Sequence, residues 1–326
     1  MERYHQSESA SQKNHGDGHW RGPHDILVWL PGRLLAMAAQ RNQRGATLIE
    51  LIMVIAMFGV IASVASVFIK APIDAYVDSA RRAALTDAAD TAMRRMARDI
   101  RKALPNSARI PDSQCLEFIP TKTAGRYRAL VDASPTSDIL NIGALDSSFN
   151  MLGHNEDRPA DQQIEAGDRV ALYNLGVFGA NAYTGDNTSL VSGVVKDSNE
   201  KEDTILIAAK KFLLASGGKR FYVIPAGEQV VGYVCNGNGT DAHGTGTGTL
   251  RRYIATLPGA NSCTLPVIDQ NNVTSVSIMA SNVASCNFVH NVSDLQRSEP
   301  VKLTITFTDS GESISLYHQV YESNWP

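Results

Sequence analysis

Residues 46–69 read ATLIELIMVIAMFGVIASVASVFI, an apolar run broken by one charge, Glu50, and by no proline. At about 1.5 Å per residue it forms a helix of about 36 Å, enough to cross a hydrocarbon core of roughly 30 Å. The run is too long for the h-region of a secretory signal, and no small-residue cleavage site follows it. It lacks the polar face that a core helix of a soluble domain carries. Arg33, Arg41 and Arg44 precede it, with no acidic residue between Leu34 and Ala46. The positive-inside rule therefore predicts a cytoplasmic N-terminus and translocation of everything after Lys70.

The remainder of the 326 residues has an ordinary globular composition, 43% hydrophobic and 19% charged. A net charge of −3 argues against a nucleic-acid partner, since no basic domain is present. Past the apolar run, Ile73, Val77, Ala80, Ala84, Ala88, Ala92, Met96, Ile100 and Leu104 recur at helical spacing, with Asp74, Asp78, Arg81, Asp87, Asp90, Arg94, Arg95 and Arg98 mostly on other faces. The spacing predicts that the helix continues to Leu104, where Pro105 stops it, with a kink allowed at Pro72. Arg98, Arg101 and Lys102 suit the negative end of the helix dipole.

Beyond Pro105 the period falls to two. Strands are predicted over 115–119, 127–131, 170–174, 204–208, 220–224, 228–235, 250–255, 273–279 and 286–290. The clearest signal is a hairpin, 301–307 and 313–320, turning at Asp309-Ser310-Gly311. Its apolar face should lie on the helix stripe. Loops are predicted at 143–168, 179–189, 236–248 and 258–272. The expected fold class is α+β: a long N-terminal helix, transmembrane over 46–70 and amphipathic over 71–104, packed on an antiparallel β-sheet head over 105–326.

The stretch Arg44-Gly45-Ala46-Thr47-Leu48-Ile49-Glu50 resembles the processing site of type IV prepilins and type II secretion pseudopilins, in which a basic leader ends in glycine before a Thr-Leu-Ile-Glu motif and an apolar run. The resemblance implies cleavage after Gly45, methylation of the new Ala46 amine and an assembly role for Glu50. It also implies prepilin peptidase, other major and minor pilins and an inner-membrane assembly platform as partners. The first mature residue is usually phenylalanine, and here it is alanine. A carboxylate in hydrocarbon costs at least ~2.5–3.5 kcal/mol on insertion scales, so Glu50 calls for a cationic partner, which in this family is the N-terminal amine. A leader of residues 1–45 is long for the class. Met37 would start a nine-residue basic leader, MAAQRNQRG, and is the expected native start, with a genuine extended leader as the alternative.

Further along, Asp78-Ser79-Ala80-Arg81-Arg82-Ala83, 94–101 (RRMARDIR), 103–107 (ALPNS), 115–120 (CLEFIP) and 316–320 (LYHQV) resemble minor pilins of the J or W type, and more narrowly those of the mannose-sensitive haemagglutinin (MSHA) pilus biogenesis set. That likeness implies a structural subunit that initiates or caps a pilus, anchored in the inner membrane with a periplasmic head. A J-like pseudopilin of a type II secretion system and a tip adhesin, with loops 179–189 and 236–248 as its contact surface, are the other readings.

Cys115, Cys235, Cys263 and Cys286 all follow the apolar run, on the side where disulfides persist. Four cysteines allow three connectivities. The favoured pairing is Cys235–Cys263 across the glycine-rich loop, with Cys115–Cys286 joining early and late sheet. No catalytic residue, cofactor or metal is expected. Gly237-Asn238-Gly239-Thr240-Asp241-Ala242 matches a dinucleotide fingerprint loosely, but a strand rather than a helix should follow, so it reads as a flexible loop. Ser198-x-x-Lys201 and Ser216-x-x-Lys219 lack companion motifs. The acidic run 197–203 lacks calcium-loop spacing.

Overall fold

The computed structural model describes residues 45–132, 134, 136–197, 201–236, 239–257, 273–290 and 300–322. Residues 1–63 and 64–326 form separate compact units. The described part of the first is the start of helix α1, Leu48–Arg101. Among its described residues, the second holds the rest of α1 and thirteen strands. Residues 1–44 of the leader, with both candidate starts, lie outside the described residues.

Helix α1 passes through Pro72 without interruption and ends three residues before the expected Leu104. The following segment takes the backbone groups the helix would need. Lys102 and Ala103 donate to the carbonyls of Asp99 and Ile100 in tight turns, Leu104 donates to Ile119, and Thr121 donates to Lys102. The buried face of the helix is Leu85, Ala89, Ala92, Met93, Met96, Ala97 and Ile100, so the predicted stripe is buried at Ala92, Met96 and Ile100, whereas Ile73, Val77, Ala80, Ala84 and Ala88 are exposed. At about 100° per residue, steps of four drift about 40° each, so Ala84 and Ile100 lie about 160° apart. A step of three, Ala89 to Ala92, resets the face.

Two antiparallel sheets make up the head. The first has the order β1-β2-β9-β10-β11-β12-β13, with β1 Arg109–Asp112, β2 Cys115–Phe118, β9 Val230–Asn236, β10 Gly248–Ala255, β11 Val273–Val289, β12 Val301–Asp309 and β13 Glu312–Val320. The helix face packs on Leu116, Phe118, Tyr233, Leu250, Phe288, Leu303, Ile305 and Phe307 of this sheet. The α+β reading holds, and the apolar face of the last hairpin does join the helix. That hairpin closes through Ser310 (φ 51°) and Gly311 (φ 86°), positive φ at both central residues as a two-residue primed turn requires.

The second sheet, β3-β8-β5-β6-β7-β4, has β3 Thr123–Arg126, β4 Leu145–Leu152, β5 Arg169–Ala171, β6 Thr188–Lys196, β7 Glu202–Lys211 and β8 Arg220–Ile224. It owns a separate core of Phe149, Met151, Val170, Val191, Ile205, Phe212, Phe221 and Val223.

Several strand expectations need correction: β1, β3 and β6 fall where no strand is predicted, and β6 begins inside the expected loop 179–189. The predicted loop 143–168 contains β4, whose polar residues hid it: Asn150 is buried because its amide oxygen accepts from the Asp138 N–H at 2.9 Å. The segment 127–131 is no strand beyond an isolated bridge from Tyr127 to Met151. The separate strands 273–279 and 286–290 are one strand, β11, which absorbs Asn282 (φ 60°) and a bulge as it changes partner from β10 to β12.

The disulfide pairing also differs from expectation. Cys235 is bonded to Cys286, with Cα atoms 6.3 Å apart, and not to Cys263. The bend in β11 returns its second half to the ends of β9 and β2, where Gly239 donates to Ala284 and Phe288 donates to Ser113. That meeting is set by a bend no spacing rule anticipates. Cys115 is disulfide-bonded, though not to Cys286, and Cys263 lies outside the described residues.

Candidate functional site

The processing motif meets the structure at the start of α1. Gly45, Ala46 and Thr47 precede the helix in exposed, non-helical backbone, and a Cβ on Gly45 would meet nothing within 4 Å. Thr47 is the N-cap: its carbonyl accepts from the Leu51 N–H at 3.2 Å, and its Oγ1 accepts from the Glu50 N–H at 3.3 Å. Thr47-x-x-Glu50 therefore has the sequence of a capping box, a role for the threonine that the T-x-x-E spacing could have revealed. Glu50 is exposed in the first turn, where a carboxylate favours the positive end of the helix dipole. From Leu48 to Ile69 the large apolar side chains are exposed, Leu48 at 76% and Phe68 at 75%. The most apolar part of α1 is long and apolar enough to cross a membrane and has no burial against the protein.

In the head, the polar groups that look most like chemistry are structural anchors. Tyr253 pairs with Gly232 in the sheet register, and its ring fills the space a Cβ there would occupy, 2.0 Å from the ring carbon Cζ. Lying across the glycine, Tyr253 donates its hydroxyl to Glu117, which is wholly buried and also accepts from Arg109 Nε at 2.8 Å. Arg109 in turn stacks 3.6 Å over the Tyr183 ring. Nearer the helix, Tyr233 donates to Asp99 at 2.7 Å and Arg252 Nε donates to the same carboxylate at 3.0 Å. Burial, then the neighbouring carboxylate, raises both Tyr233 and Tyr253, keeping them neutral donors.

The segment after the helix is clamped by Glu322. Its two carboxylate oxygens accept from the N–H groups of Asn106 at 3.0 Å and Ala108 at 2.9 Å. Burial pushes this carboxyl up to about 7, against the pull of those two donors.

Motifs set aside earlier have local roles. Ser216 Oγ accepts from the Arg220 N–H in a turn, and Asp203 accepts from the Asn155 N–H and pairs with His154 Nδ1 at 2.9 Å, which raises the imidazole. Ser198, Gly237 and Asn238 lie outside the described residues. The described part of loop 236–248 is tied down rather than free. Asp241 accepts from the His243 and Thr245 N–H groups, and Gly244 accepts from the Gly311 N–H of the last hairpin.

Residues 40–66 match the prokaryotic N-terminal methylation motif. No curated protein and no solved structure matches the chain. The chain thus carries a type IV pilin-like prepilin signal, which implies processing by a prepilin peptidase and assembly with other pilins. Proteins bearing this motif are structural rather than enzymatic. The apolar start of α1 is consistent with membrane anchoring of such a protein.

Proposed function

We propose that the chain is a minor pilin or pseudopilin, most like the O protein of the MSHA biogenesis set, that helps initiate or cap an MSHA-type type IV pilus. In this reading the leader ends at Gly45, residues 46–70 span the inner membrane, residues 71–104 carry the helix into the periplasm and residues 105–326 form the head. Prepilin peptidase cuts after Gly45 and the Ala46 amine is methylated. Glu50 then pairs with such an amine in the assembling bundle, where low dielectric strengthens the attraction and sets axial register. The observation that carries this reading is the methylation motif falling on exposed, non-helical Gly45–Ala46, directly before a capped and wholly bare apolar helix.

The test is mass spectrometry of the membrane-extracted chain from cells with and without active prepilin peptidase. An N-methylated Ala46 terminus that depends on the peptidase is expected, and a retained leader overturns the proposal. Glu50→Ala should leave cleavage intact and reduce the chain in sheared pili at least ten-fold. Deletion separates the remaining readings: loss of surface pili means pilus initiation, loss of secretion a pseudopilin, and loss of attachment alone a tip adhesin.

A further inference from the structure

The two sheets have four edge strands, and three of them are closed off. Strand β1 has four residues, contains Pro111 and pairs with β2 through a register shift. Strand β3 also has four residues, and Arg158 donates to the Ala124 carbonyl there. The longer β4 has a register shift between Asp146 and Ser148, and its outer side is occupied: Arg128 donates to the Asn150 carbonyl and Asn150 donates to Asp138. Short length, proline, bulges and cover are the devices by which proteins keep sheet edges from pairing with other chains.

Strand β13 has none of them. It pairs with β12 over nine residues without a register shift, and it contains no proline and no lysine. Among the described residues, no backbone group from 313 to 320 bonds to anything beyond β12. Ser313, Ser315, Tyr317 and Gln319 are exposed on one face, with Ile314, Leu316 and His318 half-buried on the other. Beside this edge, between β13 and α1, runs a groove of about 520 Å³ lined by Asp90, Met93, Arg94, Ala97, Arg98, Arg101 and His318. Arg94 is paired with Asp90 at 2.6 Å, whereas Arg98 and Arg101 have no ion pair among the described residues. An open ladder thus adjoins uncompensated positive charge, which selects both the backbone form and the charge of an occupant.

We propose that β13 receives an extended acidic segment of a partner protein by strand addition, its main chain pairing with the open edge and its carboxylates meeting Arg98 and Arg101. This goes beyond the pilin reading and does not depend on the processing site. Three nine-residue peptides test it on the full chain in detergent micelles by fluorescence anisotropy: alternating valine and aspartate, alternating valine and lysine, and the aspartate peptide N-methylated throughout. The aspartate peptide should bind at least ten-fold more tightly than either of the others, because one lacks the carboxylates and the other lacks N–H donors. Arg98→Glu with Arg101→Glu should remove that preference without changing the thermal unfolding midpoint, and raising salt on the unaltered chain should weaken the aspartate peptide selectively. Equal binding of the N-methylated or the lysine peptide overturns the proposal, as does no binding of the aspartate peptide, or competition by a single-stranded oligonucleotide at equal affinity.

Discussion

Along α1, residues 48–69 and residues 85–100 are both rich in apolar side chains, yet Ile61 is 62% exposed and Met96 is wholly buried. The first stretch is apolar on all sides, and its large side chains are exposed. The second buries its large apolar residues on one face, with Asp90, Arg94, Arg95 and Arg98 elsewhere, and that face completes the core of the seven-stranded sheet. Uniform coverage suits a surrounding hydrocarbon, and one-sided coverage suits a protein partner. One helix thus carries two patterns, and the first is consistent with membrane anchoring.

Substituting an acid into each stretch tests that contrast most severely. Met96→Asp buries an unpaired charge and should cost more than about 4 kcal/mol, unfolding the head in thermal scans of the full chain in detergent. Ile61→Asp should leave the head's unfolding midpoint unchanged and instead release the chain from membranes on alkaline extraction, as a mid-span aspartate costs ~2.5–3.5 kcal/mol on insertion scales. Head unfolding by Ile61→Asp would break the comparison.

A smaller effect is expected from the sheet that the helix packs against. Cys235 and Cys286 close a loop with a sequence separation of 51, for which the chain-entropy model gives about 4 kcal/mol, usually less in measurement. The double substitution Cys235→Ser with Cys286→Ser should lower the head's stability by about 2–4 kcal/mol in denaturant titration and leave membrane association untouched.

The smallest effect concerns the clamp just beyond the helix. Glu322 is raised from its usual 4.5 to about 7, so the folded head holds its proton more tightly than the unfolded chain does. Its contribution to stability is complete below about pH 4.5 and declines as pH rises to about 7. The difference in unfolding free energy between the unaltered chain and Glu322→Gln should change across that window and be flat above it. A flat difference throughout would show that Glu322 does not change its proton affinity on folding.

Much of this was legible in the residues because the physics is local. The 24-residue apolar run, the basic residues before it and the Gly45-to-Glu50 motif each act within one element. The strict alternation in 301–307 gave the last hairpin for the same reason, since a half-buried strand writes its burial into a period of two. Strand β4 escaped because its buried polar residue, Asn150, is satisfied by Asp138, well outside the pattern. In the candidate site, the methylation motif matched over residues 40–66 could be read directly. The Thr47 cap is equally local, since both of its bonds reach no further than Leu51.

By itself, then, the sequence determined that a membrane-competent helix with a prepilin signal leads into an antiparallel head, because hydropathy, charge and capping are properties of neighbouring residues. Only the tertiary structure decided that the head divides into two sheets, that Cys235 meets Cys286 and that, among the described residues, β13 has no partner at its outer edge. Each of these depends on which distant strands become neighbours. That choice is made by summed packing and backbone pairing over the whole chain, through bends such as the one at Asn282 that no local pattern encodes.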